Sequence, residues 1–412
     1  MGRSSGAGSL SIWTHNLKGI QVKDWKDPEY KGKALRLAAG SQGYEVGNAA
    51  KAAGLVAVTG ECPTVGIAGG YTQSGGHSPL SSEFGLGADQ TLEFEVVTAD
   101  GNFVKANAFN AHKDLFWALS GSGAGNYGVV TAVTVKAHPD KPTSGASFTI
   151  ADPNLNYADV LSTFHETLPG ITDSGAQVTY LATTGMMVCF SVSGFGKTQA
   201  DMEAKLAPFA ADLKQRFNYT LEPVYTSHAS YHDYYWHYYG PMPAGLFGGA
   251  GDQLMGGRFL LRDALPGVTP AILSEIMSKG VTFIGQALNV GKFGSKKAKR
   301  AVAPQWRDAV VMSAYSMPFT FDVPHAEMAA RQDFITNEIQ PLIEAVTPNA
   351  GAYINEADFQ QPDWQEVFYG DNYRDLLKVK KRYDPKGFFW NAIAVGGERW
   401  VVDEGTGRMC EA

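Results

Sequence analysis

One segment of this chain contains more glycine than an ordinary loop does. The segment reads GECPTVGIAGGYTQSGGHS at positions 60–78, with hydroxyl side chains between the glycines. Glycine contributes 47 of the 412 residues, which is above its usual share and indicates many tight turns. A backbone with so few side chains can lie directly against a ligand, which makes 60–78 the first candidate binding loop.

The composition limits the class of protein. A chain of 412 residues predicts two domains, or one large domain with another inserted in it. Apolar residues make up 44% and charged residues 18%, so the chain has the material for large cores and is not of the disordered type. The net charge of −7 argues against a nucleic-acid partner. No apolar run is long enough to predict a membrane span, and three cysteines are too few for a disulfide framework.

The pattern along the chain divides it into three parts and predicts the α+β class. Residues 1–142 are rich in glycine and short strands, 143–347 mix helices with strands of an antiparallel sheet, and 348–412 form a helical tail. The main predicted elements are strands at 91–98, 177–183 and 187–192, and helices at 155–167, 198–217, 324–346 and 372–383.

A second glycine motif, GAGNYG at 123–128, matches the dinucleotide-binding pattern G-x-G-x-x-G. That pattern requires a strand before it and a helix after it. Here a helix is predicted over 113–120 and a strand over 129–136, so the order is reversed and a Rossmann site is disfavoured. A plain turn and a loop that places backbone N–H groups against a phosphate or flavin both remain open.

A histidine cluster raises the question of a metal. His228, His232 and His237 lie in an aromatic stretch, with Asp233 beside them, but no complete ligand pattern accompanies them. We predict no metal site. The aromatic residues of 225–239 suit an apolar substrate channel or a tyrosine-rich packed loop.

Candidate acids and bases lie in YINEAD at 353–358. If this segment is a strand, alternation would place Tyr353 and Asn355 on one face and Glu356 and Asp358 on the other. A surface strand with solvated carboxylates is the alternative. The sequence contains no G-x-S-x-G motif, so it does not indicate serine hydrolase chemistry.

Four stretches together resemble the FAD-linked oxidases of the vanillyl-alcohol oxidase / p-cresol methylhydroxylase (PCMH) superfamily, in the fungal form of the berberine bridge enzyme branch. They are GECPTVGIAGGYTQSGGHSPLSSEFGLGADQ (60–90), DLFWALSGSGAGNYGVVTAVTVKAHP (114–139), YINEADFQQPDWQEVFYG (353–370) and NYRDLLKVKKRYDPKGFFWNAIAVGGERW (372–400). Their order and spacing match that family over essentially the whole chain.

The resemblance implies a PCMH-type FAD-binding domain formed by 1–142 and 348–412, with a substrate domain at 143–347. Cys62 would be a covalent attachment point of the flavin ring, which raises its redox potential. Tyr353 and Asn355 are the expected side chains at the reacting face. The expected FAD contacts are Cys62, Pro63, Thr64, Val65, Gly66, Gly69, Gly70, Ser74, Gly75, Gly76, His77, Asn126, Gly128, Val129, Val130 and Asn391.

The activity implied is hydride transfer from a small organic substrate to FAD, with O₂ as the electron acceptor. A bulky apolar metabolite of fungal secondary metabolism, such as an alkaloid intermediate, and an oligosaccharide both remain open as substrates.

The N-terminal region departs from the family pattern. Family members begin with a β/α unit and a G-H-x-Y motif whose histidine forms a second flavin bond, and residues 1–15 contain neither. We therefore expect a partial FAD domain. The alternative is an inactive remnant that binds FAD weakly or not at all. The first residues lack the apolar core of a signal peptide, so the localisation is undetermined: cytoplasmic by default, secreted if the true N-terminus lies upstream.

Overall fold

Two antiparallel sheets organise the molecule in the computed structural model, which describes residues 9–247, 253–294, 299–403 and 406–412. One sheet has five strands and the other has seven. The α+β class predicted from the sequence is confirmed. Within the described ranges, no helix combines the length and apolarity that crossing a lipid bilayer requires.

The first part of the chain forms the five-stranded sheet and its short helices. Its elements are β1 (Ile20–Lys26), β2 (Lys31–Ala38), α1 (Gly43–Ala52), β3 (Leu55–Val56), α2 (Ser81–Phe84), β4 (Thr91–Thr98), β5 (Phe103–Asn107), α3 (Lys113–Leu119), β6 (Gly128–Lys136) and β7 (His138–Pro139). The sheet order is β1-β2-β6-β4-β5, with every pair antiparallel. β6 begins at a glycine because a Cβ on Gly128 would lie 2.6 Å from the Val97 carbonyl oxygen of β4.

The middle part of the chain forms the seven-stranded sheet. Its elements are β8 (Thr143–Ile150), α4 (Tyr157–Thr172), β9 (Gln177–Ala182), β10 (Met187–Phe195), α5 (Gln199–Phe217), β11 (Val224–His228), α6 (Tyr231–Tyr239), β12 (Gln253–Leu261), α7 (Pro270–Ser278), β13 (Thr282–Ala287) and β14 (Ala309–Pro318). The antiparallel order is β11-β8-β10-β9-β13-β14-β12. Buried side chains such as Phe164, Phe209 and Ile276 form the core between this sheet and α4, α5 and α7.

The helices α8 (His325–Phe334) and α9 (Gln340–Val346) pack against the seven-stranded sheet. The chain then returns to the first sheet with α10 (Trp364–Tyr369) and α11 (Tyr373–Tyr383), and ends in a two-stranded sheet of β15 (Trp400–Val402) and β16 (Met409–Glu411). A π-helical turn at Ile335–Ile339 joins α8 to α9. Phe368 and Leu376 share one buried cluster with Phe94 of β4 and Phe116 of α3. The five-stranded sheet is therefore completed by residues from both ends of the sequence.

The aromatic stretch 225–239 is a strand followed by a helix, not a loop. Residues 224–228 are β11 and 231–239 are α6. The five tyrosines of α6 are buried in one cluster with Val58 and Phe195. The tyrosines of the stretch are therefore packed core, as the second interpretation from the sequence requires.

Candidate active site

The glycine-rich segment 60–78 lies against the start of α1 and leaves part of its backbone uncovered. The side-chain amide nitrogen of Gln42 donates to the Thr64 carbonyl oxygen at 2.6 Å, and the backbone N–H of Gly43 donates to the Val65 carbonyl oxygen at 3.0 Å. A Cβ on Gly69 or Gly70 would meet no atom within 4 Å. These two glycines border open space, as a backbone surface for a ligand requires.

The second glycine loop, 123–128, adjoins the first. The backbone N–H groups of Gly121 and Gly123 both donate to the Gln73 carbonyl oxygen, at 3.1 and 2.7 Å. From the other side, the buried ammonium group of Lys380 on α11 donates to the Asn126 carbonyl oxygen at 2.6 Å. Gly125 also borders open space. The structure thus joins the two loops that the sequence identified separately.

The segment 353–358 is a turn, so the alternation predicted for it is wrong. The N–H of Glu356 donates to the Tyr353 carbonyl oxygen at 2.8 Å and closes the turn. Tyr353 and Glu356 consequently both meet His77: its Nε2 lies 2.8 Å from Glu356 Oε1, and its ring centroid lies 5.5 Å from that of Tyr353. Asp358 lies elsewhere, buried against Gln332 at 2.8 Å.

Asn355 connects the tyrosine to the glycine-rich segment. Its amide nitrogen lies 2.8 Å from the Tyr353 hydroxyl oxygen and 2.9 Å from the Gly70 carbonyl oxygen, and donates to both. Trp306 packs edge-on against the other side of the Tyr353 ring at 5.4 Å. The two side chains expected at the reacting face therefore lie together beside Gly70.

Electrostatics distinguish the ionisable groups of this cluster. Burial lowers the pKa of His77, but the charge and hydrogen bond of Glu356 outweigh it, so the net shift is upward. Burial raises the pKa of the Tyr353 phenol, and the charge of Glu356 adds to that effect. Burial, together with the charges of Glu356 and Glu61, raises the pKa of the Cys62 thiol to about 12. At neutral pH the free Cys62 side chain is a thiol.

Glu61 is a site residue to which the sequence analysis gave no role. Its buried carboxyl group accepts hydrogen bonds from Gln177, Thr179 and Gln286 on the seven-stranded sheet. The available signal was a carboxylate within a segment otherwise free of acidic residues. Its partners carried no such signal, because one polar residue on an apolar strand does not show what it faces.

Two of the three histidines of the aromatic stretch lie together, with the ring centroids of His228 and His237 5.1 Å apart, and His232 bonds to a residue outside the stretch. The Nε2 atom of His232 is bonded to Asn48 at 2.8 Å, and that of His228 lies 3.0 Å from Thr226 Oγ1. Asp233 is paired with Lys51. In the part of the chain that the structure describes, no group of three or more His, Cys, Asp or Glu side chains is placed to hold a metal ion.

The remaining predicted contacts differ in how exposed they are. Val130 is buried in the core of the five-stranded sheet, and its neighbour Val129 is half-buried. Val65 is exposed at the edge of the first loop. Asn391 lies two residues after Phe389, whose carbonyl oxygen shares the Lys380 ammonium group with that of Asn126. Asn391 is thus placed on the side of the second glycine loop.

These residues fit FAD by two observations. The structure shows open space beside Gly69, Gly70 and Gly125. Around it, the described residues include buried polar atoms with no hydrogen-bond partner in the protein, namely Thr72 Oγ1, Gln73 Oε1, Ser74 Oγ, His77 Nδ1, Asn126 Oδ1 and Asn391 Oδ1. Buried polar atoms are almost always partnered, so such a concentration is typical of a site for a polar ligand.

Two protein-family models match the chain at these segments. Residues 1–107 match the model described as "FAD binding domain". Residues 352–396 match the model described as "Berberine and berberine like". The first match includes the segment that carries Cys62, and the second includes Tyr353, Asn355 and Glu356.

Known proteins resemble the chain over its whole length. FAD-linked oxidoreductase ZEB1 of Gibberella zeae is 44% identical over 100% of this chain and 72% of its own length. VAO-type flavoprotein oxidase VAO615 of Thermothelomyces thermophilus is 37% identical over 100% and 72%. The crystal structure of VAO-type flavoprotein MtVAO615 from Myceliophthora thermophila C1 superposes with a TM-score of 0.90 at 36% identity, covering 99% of this chain and 75% of that one. The chain therefore belongs to the berberine-bridge-enzyme-like FAD-linked oxidoreductases of the vanillyl-alcohol oxidase type.

Proposed function

We propose that this oxidoreductase is an oxidase of fungal secondary metabolism that removes a hydride from a C–H bond next to a hydroxyl or amine of a small organic substrate. When bound, FAD would supply the hydride acceptor, and O₂ would be the final electron acceptor. The observation that carries the proposal is the His77–Glu356 pair, 2.8 Å apart, against the Tyr353 ring and beside the Gly70 backbone. The fungal sources of its relatives, one of them called an oxidase, support it.

We assign proton removal to Glu356. Its side chain is 33% exposed, against 9% for that of His77, so the carboxylate is the member of the pair that a substrate can reach. His77 donates to it and holds it in place. General base catalysis by a positioned carboxylate needs this arrangement, with one oxygen held and the other available.

Tyr353 orients the substrate in this proposal. Its hydroxyl oxygen accepts a hydrogen bond from Asn355, so its own proton is left to donate to a substrate oxygen or nitrogen. Burial keeps the phenol protonated. The hydrogen bond from Asn355 and the edge-on ring contacts with His77 and Trp306 fix the ring and hydroxyl, which is what positioning requires.

We propose that different parts of the chain bind FAD and cover the substrate side. Residues 1–142 and 348–412 hold FAD, and 143–347 cover it on the substrate side. The shared core of the five-stranded sheet and the C-terminal helices supports this division. Cys62 is the proposed thioether link to the flavin.

The first experiment is an absorbance spectrum of the purified chain, repeated on the protein after acid precipitation. Yellow colour that stays with the precipitate is expected, and Cys62→Ala should release it into the supernatant. Cys189→Ala is the matched control, since that thiol is buried under the seven-stranded sheet. A colourless protein that takes up no added FAD would overturn the proposal and leave the inactive remnant.

The second experiment measures O₂ uptake on a panel of alcohols, amines and oligosaccharides. With any substrate that is turned over, Glu356→Gln should lower kcat by about 10²- to 10⁴-fold, the usual contribution of a general base. Glu166→Gln, at an exposed pair with Arg216, should leave kcat unchanged. Equal kcat values in wild type and Glu356→Gln would remove the assigned base.

A further inference from the structure

Glu61 is buried at the junction of the two sheets and is held from the opposite side of that junction. Thr179 Oγ1 lies 2.6 Å from Glu61 Oε1, and Gln177 Nε2 lies 3.0 Å from the same oxygen. Gln286 Nε2 lies 2.9 Å from Glu61 Oε2. Both carboxyl oxygens are therefore occupied by donors from β9 and β13, neighbouring strands of the seven-stranded sheet.

The residues on either side of Glu61 extend this attachment. The Tyr235 hydroxyl on α6 donates to the Gly60 carbonyl oxygen at 2.7 Å, and the Tyr239 hydroxyl lies 3.4 Å from Glu61 Oε1. Cys62 follows directly in the sequence. Every one of these contacts joins residues more than 100 positions apart, so local chain geometry does not supply them.

The arrangement is costly to disturb. A buried donor that loses its acceptor retains the full penalty of its desolvation, and several donors converge here on one carboxyl group. The segment after Cys62 is held separately by the start of α1, where the N–H groups of Gly43 and Tyr44 donate to the carbonyl oxygens of Val65 and Pro63 at 3.0 and 2.9 Å. The hydrogen bonds from the seven-stranded sheet restrain the residue that directly precedes the thiol.

We propose that Glu61 is the positioning residue for Cys62, by which the seven-stranded sheet sets where the sulfur atom stands at the flavin site. This inference deepens the proposed function, since it rests on Cys62 being the attachment point. The seven-stranded sheet then helps to hold Cys62, the residue to which the flavin is proposed to be attached. In this proposal the hydrogen bonds of Glu61, rather than its charge, position Cys62.

The test is the alkylation rate of Cys62 by iodoacetamide in the flavin-free full chain, followed by peptide mass spectrometry. Glu61→Ala and Glu61→Gln both remove the negative charge, but only alanine removes every hydrogen bond. The alanine variant should react about tenfold faster than the glutamine variant, because a loss of ~1.4 kcal/mol of local restraint makes an open state ten times more populated. Exposed Cys410 is the internal reference.

Gln286→Leu tests the same restraint from the sheet without altering Glu61, should the alanine variant fail to fold. Its Cys62 should react faster than that of Gln340→Leu, a buried glutamine bonded to Gly257 and Gln361 instead. Equal Cys62 rates in the alanine and glutamine variants, or in the two leucine variants, would overturn the inference.

Acid precipitation of the FAD-loaded variants separates this inference from the proposed thioether. Acid-stable flavin in wild type that falls in Glu61→Ala and is restored in Glu61→Gln supports both. Wild-type protein that releases all its flavin refutes the thioether, while the alkylation rates still decide the role of Glu61.

Discussion

Glycines 69 and 70 differ in kind from the other glycines of their loop. Gly76 has φ +73° and packs against Tyr71, so the fold itself requires it. Gly70 has open space where its Cβ would be. A methyl group there disturbs nothing in the protein and enters the space assigned to FAD.

The Gly70→Ala variant should therefore be as stable as wild type and bind FAD more weakly. On a Cys62→Ala background, which removes any covalent link, we expect affinity to fall by about 1–3 kcal/mol, the usual cost of an inserted methylene. Flavin fluorescence titration measures the affinity, and urea unfolding measures the stability. Gly170→Ala, inside α4 with open space at its Cβ, is the control and should leave the affinity unchanged. Unaltered affinity in Gly70→Ala would move the flavin site elsewhere.

The His77–Glu356 pair makes stability depend on pH. The pKa of His77 is raised above its ordinary 6.5 in the folded protein, so the pair stabilises the fold fully below pH 6.5 and loses this contribution as the pH rises through the raised value. In the Glu356→Gln variant the charge that raises the pKa of His77 is gone, so burial lowers that pKa. The free energy of unfolding of the variant should therefore approach that of wild type as the pH rises. Each tenfold difference in the proton affinity of His77 between the two proteins corresponds to about 1.4 kcal/mol. Urea unfolding across this range measures it, and a pH-independent difference would contradict the pairing.

How much of the site could be predicted differed from residue to residue. Cys62, Gly70, Tyr353 and Asn355 were predicted from motifs, and the structure brings the last three together. The assignment of Glu356 to the opposite face from Tyr353 was wrong, because alternation assumes a strand and this segment turns. Glu61 acquires its role only through strands more than 100 residues away, which no local pattern can show.

At the scale of elements, α11 anchors the second glycine loop through one buried pair. Lys380 donates to Asp384 Oδ2 at 2.7 Å, and the two side chains are 7% and 0% exposed. Lys380→Met leaves the buried carboxylate without its cation, which typically costs about 3–5 kcal/mol. Lys378→Met on the same helix breaks a 68% exposed pair with Asp375 and should cost at most about 1 kcal/mol. Similar losses in chemical denaturation of the two variants would show that the buried pair is not an anchor.

Elements were predicted best where one face is buried and short-range signals agree. The strand at 91–98 was predicted at its observed limits, and the helix predicted at 372–383 begins one residue later. The helix at 198–217 begins one residue later, after Thr198, which caps it together with Asp201. The helix at 231–239 was missed because tyrosine and histidine favour no single element, and tertiary burial of its tyrosines decides the outcome.

At the scale of the whole molecule, the C-terminal part completes the first sheet's core. Deleting 348–412 would uncover Phe94 and Phe116, which share a cluster with Phe368 and Leu376. We expect that variant to be insoluble or to lose cooperative thermal unfolding. Deleting 406–412, which are all exposed, should leave the unfolding transition nearly unchanged. A cooperative transition in the larger deletion would show that the first sheet folds without its C-terminal cover.

The contact between Asn355 and Gly70 spans 285 positions, and this separation has a consequence for biosynthesis. At typical translation rates of about 5–20 residues per second, roughly 15–60 s pass between the synthesis of the two residues. During that interval the nascent chain carries Cys62 and its glycines but lacks the side chains that face them. A cell that loads this enzyme with flavin can therefore complete the loading only after residue 355 has been synthesised.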